Sequence, residues 1–113
     1  MPTKLSKSET AQLRELANEA WETELREALE ALFEDFGRWA DDEYSSFDLS
    51  DRIHKFHDGI SRELYKRYTN LPPLVAVARA IAVGAIDKTV LSPSLHEKLA
   101  DEIEALRRIN DAD

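Results

Sequence analysis

Asp51-Arg52-Ile53-His54-Lys55-Phe56-His57-Asp58 is the one stretch of the chain whose residue types and spacing suit acid–base or metal chemistry. On a helix His54 and Asp58 are four apart and share a face, the arrangement in which a carboxylate can orient an imidazole. His57 falls nearer the apolar stripe, beside Ile53 and Leu64. A metal site needs three or four converging ligands, and this helix supplies two on a common face. His96 stands alone, and the chain has no cysteine. A Gly-rich phosphate loop, a nucleophile elbow and a Cys–His pair are all missing from the sequence. A small enzyme built on His54, His57 and Asp58 is therefore the weakest reading. The segment reads as a polar helix face with one half-buried imidazole, without catalytic residue, metal ligand or cofactor.

Binding is the better use of this helix. Asp51, His54, Ser61 and Tyr65 form a face bordered by Arg52, Lys55, Arg62, Lys66 and Arg67. The face is locally basic in an acidic chain, and Tyr and Arg are the types that anchor interfaces.

The elements that must position it follow from composition. The 113 residues carry 15 Lys+Arg against 23 Asp+Glu, a formal charge of −8. That length fits a single domain, 1–113, with a real core and no large cleft. Acidity disfavours nucleic acid and anionic membranes, which select for Lys and Arg. Without cysteine there is no disulfide scaffold, zinc knuckle or iron–sulfur cluster, and without a basic-then-apolar leader the expected location is cytoplasmic. The charge is uneven: residues 1–47 hold 12 acidic and 5 basic side chains, and the remainder is nearly neutral.

Three glycines and no sustained period-2 alternation predict an all-α fold. Ser6 and Glu9 stand at capping-box spacing and open a helix over about 6–44. Its apolar face begins with Leu13, Leu16, Ala17 and Ala20, then moves round to Trp21, Leu25, Ala28, Leu32, Phe36 and Trp39. Such a helix reaches about 57 Å, whereas a compact chain of this size has a radius of gyration near 13 Å, so it must project as a stem. A second copy is expected to cover the projecting stripe, giving a homodimer with Trp21, Leu25, Leu32, Phe36 and Trp39 in the seam. The alternative is a kink near Gly37 or Asp41-Asp42 that folds the chain back into a monomeric bundle.

Three shorter helices complete a small head. One spans about 48–69, capped by Asp48 or Ser50, with Leu49, Ile53, Phe56, Ile60, Leu64 and Tyr68 as its stripe. The next, about 72–87, starts at Pro72-Pro73 and is apolar apart from Arg79, which needs a carboxylate from a neighbouring helix. The last, about 93–109, has Ser94 and Glu97 at capping-box spacing and Leu95, Leu99, Ile103 and Leu106 as its apolar stripe.

The order of these features resembles the fluorescence recovery protein family of cyanobacteria. Glu9-Thr10, Leu16, Ala20, Trp21 and Glu24-Leu25 resemble that family's first helix, where a Tyr replaces the Trp; Arg52-Ile53-His54, Phe56, Glu63-Leu64 and Tyr68 resemble its second. The apolar helix and Ile103-Glu104-Ala105-Leu106 also line up. The resemblance implies a dimeric, non-enzymatic all-α protein with a long-helix stem and a helical head. It also implies a partner, a carotenoid-binding protein of the orange carotenoid protein type, whose photoactivated red form the family binds and returns to the orange form. The family's helix-2 patch has a Trp three residues before the His, an Asp just after it and an Arg seven after it. Here those positions hold Asp51, Lys55 and Ser61; only Arg52 and His54 carry over, and Arg62 could stand in for the Arg only by pointing about 100° away. Losing Trp and Arg and reversing a charge alter the patch enough for the partner to differ. The alternative is a dimeric adaptor or antitoxin-like interaction protein unrelated to photoprotection, which the acidic long helix and basic second helix also suit.

Overall fold

The computed structural model describes residues 4–112, and among them the regular structure is helical throughout. Helix α1 (Lys7–Ala40) opens with the expected capping box: the Glu9 N–H donates to Ser6 Oγ at 3.0 Å and the Ser6 N–H to Glu9 Oε1 at 2.9 Å. It runs through Gly37 without a break. It stops at Ala40, four residues short of the expected end, because Asp42 takes a left-handed conformation (φ 62°). The Glu43 N–H then donates to Arg38 O and the Asp42 N–H to Trp39 O, a Schellman closure with a short polar residue where Gly is usual.

Helix α2 (Ser46–Phe56) is capped by Ser45 with Asp48 reaching back, three and five residues earlier than the caps expected at Asp48 or Ser50. The same bonds hold the Asp48 carboxyl below its ordinary range. A single π-helical turn, His57–Ser61, joins α2 to α3 (Arg62–Asn70), so the helix expected over 48–69 forms as one rod with a bulge. Helix α4 (Pro73–Ala82) has Pro at its first position and ends five residues before the expected boundary. Gly84, at φ 82°, supplies the left-handed closure there, with the Gly84 N–H on Ile81 O and the Ala85 N–H on Ala80 O. A short 3₁₀ turn (Lys88–Val90) leads to α5 (Pro93–Ala112). There Ser92 accepts from the Leu95 N–H, whereas Ser94, expected to cap, donates to Glu9 across the core.

The core lies at one end. Leu13 and Leu16 of α1 pack with Val77, Ala78 and Ile81 of α4 and with Leu91, Leu95, Leu99 and Ile103. At the other end α2, the π-turn and α3 fold back along the second half of α1, so the stem is a two-helix hairpin and not a lone helix. The resulting shape measures 55 × 30 × 23 Å, with a radius of gyration of 17.3 Å. About 13 Å would suit a compact chain of this length, so the hairpin projects as the long helix was expected to.

Candidate interaction surface

One polar node locks the hairpin to the head. Glu24 of α1 accepts from Tyr68 Oη at 2.5 Å and from Arg79 Nη1 at 3.2 Å, and Arg67 Nη1 lies 3.7 Å away. Arg79 thus finds the neighbouring carboxylate that its place in an apolar helix required. Burial, with the Glu24 bond added, pushes the Tyr68 phenol well above its ordinary range. Trp21 stacks on Tyr68 (centroids 5.8 Å apart, planes 8°) and meets Tyr65 edge-on at 6.1 Å. Trp21, expected in a dimer seam, is therefore occupied mainly within its own chain.

Beyond this node the hairpin is thinly packed. Leu49 and Leu64 are its buried apolar side chains. Between α1 and α2 runs an open groove of about 450 Å³ lined by Ala28, Ala31, Leu32, Asp35, Arg52, Lys55, Phe56 and Ile60. Leu32, also expected in the seam, lines this groove, and Leu25 is half-buried. The outward stripe of α1 consists instead of Leu29 (47% exposed), Phe33 (77%), Phe36 (40%) and Trp39 (41%). Trp39 is tethered by its indole N–H to Ser46 Oγ at 3.1 Å.

Leu29 and Phe33 are the residues that reading the sequence missed. The shift in the stripe after Trp21 is visible in the sequence, whereas a fold-back at Asp41-Asp42 stands there only as the alternative to a helix projecting alone. That return consumes the Ala28/Leu32 edge and leaves the edge through Leu29 and Phe33 uncovered. Their four-residue spacing, in line with Leu25 and Phe36, was the available signal.

On α2 the expected patch is split. Asp51 pairs with Lys55 at 2.9 Å, and Arg52 pairs with Asp35 at 3.5 Å while lying 4.2 Å over the Tyr44 ring. Arg38 donates to Tyr44 Oη at 2.8 Å, so this corner closes on itself. Arg52 and Lys55 line the groove against α1, whereas Asp51, His54, Arg62 and Tyr65 are exposed. His54 Nδ1 lies 2.8 Å from Ser50 O; in the tautomer that donates this bond, Nε2 is left free toward solvent. Ser61 is half-buried, Tyr65 is exposed beside Trp21, and Arg62 is exposed with no ion pair among the described residues. His57, expected to be half-buried, is exposed and meets Asp58 at 3.3 Å. Among the described residues no three His, Cys, Asp or Glu side chains converge to hold a metal, and no helix is long and apolar enough to cross a membrane.

Compared with models of protein families, with curated proteins and with solved structures, the chain matches none.

Proposed function

We propose that the protein is a non-enzymatic, protein-binding regulator that works as a homodimer through its stem. The carrying observation is the row Leu29, Phe33, Phe36 and Trp39, held in the open on the hairpin at the end of the molecule away from the core. With about 200 Å² for a large side chain, these exposures amount to about 400 Å² per chain, the size at which an apolar patch is commonly functional. A twofold pairing would cover about 800 Å² from this stripe alone, and a polar rim around it would supply the rest of the roughly 1,200 Å² of a stable interface.

For the partner, the support is the resemblance to the fluorescence recovery protein family in Arg52-Ile53-His54, Phe56, Glu63-Leu64 and Tyr68. On that reading the outer face of α2 and α3 binds a carotenoid-binding protein of the orange carotenoid protein type and speeds its return from red to orange, in the cytoplasm. The experiment is to mix the protein with photoactivated orange carotenoid protein and follow orange absorbance in the dark. Faster recovery together with co-elution supports the reading. An unchanged rate without co-elution removes the carotenoid partner and favours an adaptor for another protein.

A further inference from the structure

The π-turn has a geometric consequence for the outer face. At about 100° per residue, an unbroken helix would set Ser61, Leu64 and Tyr68 about 120°, 60° and 100° round from Leu49. In the structure Leu49 and Leu64 are buried, and Ser61 and Tyr68 are half-buried beside them. Counting one residue fewer beyond the bulge brings the three to about 20°, −40° and 0°, on a single inward face. His57–Ser61 therefore accommodates one extra residue. It does so around Gly59, which costs a regular helix about 1 kcal/mol relative to Ala, more than any residue but Pro. Space does not dictate glycine there, because a Cβ on Gly59 would meet nothing within 4 Å.

The same count acts on the outer face. In an unbroken helix Ser61 would align with His54 and Arg62 would stand about 80° off; past the bulge Arg62 comes within about 20° of His54 and Ser61 turns inward. Exposure agrees: Arg62 is exposed and Ser61 is half-buried. His54, Asp58, Arg62 and Lys66 then form one outward row. The neighbouring cations are already matched, Lys55 by Asp51, Arg52 by Asp35 and Arg67 by Glu24. Arg62 and Lys66 have no ion pair among the described residues.

We infer that the inserted residue of the π-turn sets the specificity of this face by turning Arg62 onto the His54 row, where Arg62 and Lys66 together receive an acidic segment of a protein partner. The partner half of this inference rests on the reading of the outer face given above; the register half does not.

Since the chain has no cysteine, engineered pairs report the register cleanly. In the purified protein, His54→Cys/Arg62→Cys and His54→Cys/Ser61→Cys are treated with a bis-maleimide, which adds one cysteine thiol at each end and spans two helical turns, about 11 Å. The bulged register predicts closure at least ten times faster for the 54/62 pair. Faster closure for 54/61, or equal rates, overturns it. Photoactivated orange carotenoid protein is then titrated with wild type and with Arg62→Glu. At least tenfold weaker binding by the variant supports the assignment, and equal binding overturns the role of Arg62. If wild type does not bind at all, the carotenoid-partner reading fails and the cross-linking alone decides the register.

Discussion

Replacing Glu24 by Gln keeps the size and one acceptor of the side chain and removes the charge that joins α1, α3 and α4. Glu24 is 15% exposed at its side chain, and the two guanidiniums beside it are 23% and 25% exposed, so the node is largely but not fully shielded from water. Hydrogen bonds to charged groups contribute about 1.5–3 kcal/mol, and losing a carboxylate also leaves Arg67 and Arg79 as unmatched like charges. Discounted for the residual solvent, the expected loss is about 2 kcal/mol. For a domain of this size 1 kcal/mol moves the melting temperature by about 4 °C, so Glu24→Gln should melt about 8 °C lower. Circular dichroism melts of both proteins at one fixed protein concentration measure this, since association would make the midpoint concentration-dependent. Combining Glu24→Gln with Tyr68→Phe should cost less than the two losses summed, because one weakens and the other removes the same 2.5 Å bond. A shift smaller than about 2 °C would refute the view that this node fastens the hairpin to the head.

The remaining expectations concern the head and the stem. Lys98 donates to Glu9 Oε1 at 2.7 Å and, with Ser6 and Ser94, holds the Glu9 carboxyl at about 2 against an ordinary 4.5. A lowered carboxylate pKa stabilises the fold above the ordinary value, and that contribution fades as pH falls from 4.5 toward 2. Lys98→Met should therefore melt below wild type at pH 7, with the gap narrowing over that window; a gap that stays constant down to pH 2 would sink the assignment. On the stem, Phe33→Glu puts a charge where side-chain exposure is greatest and should leave a folded protein of unchanged helicity that runs as a monomer. An unaltered dimer would move the seam elsewhere.

The helical class, the first capping box and the apolar α4 with its need for a carboxylate were legible because each rests on neighbours in sequence. Helix ends were less so. Asp42 and Gly84 close α1 and α4 through left-handed backbone; the sequence offers Asp41-Asp42 only as an alternative to a helix continuing to about 44, and a Gly inside an apolar run reads as a continuation. The candidate surface was legible in its residues and not in its grouping. Which of Leu29, Leu32 and Phe33 faces out depends on where α2 returns, a contact between residues far apart in the chain. The bulge left a trace in the 4,4,4 spacing of Phe56, Ile60, Leu64 and Tyr68, since four residues per turn exceed the 3.6 of an α-helix. Taken as a plain amphipathic stripe, that spacing hid the turn that brings Arg62 outward.

Whether the uncovered stripe of Leu29, Phe33, Phe36 and Trp39 meets a second copy is settled most directly by sedimentation equilibrium of the wild-type protein at micromolar concentration. A homodimer gives a mass of twice 12.9 kDa, falling to the single-chain value in Phe33→Glu. A wild-type mass of 12.9 kDa across the whole concentration range would contradict it.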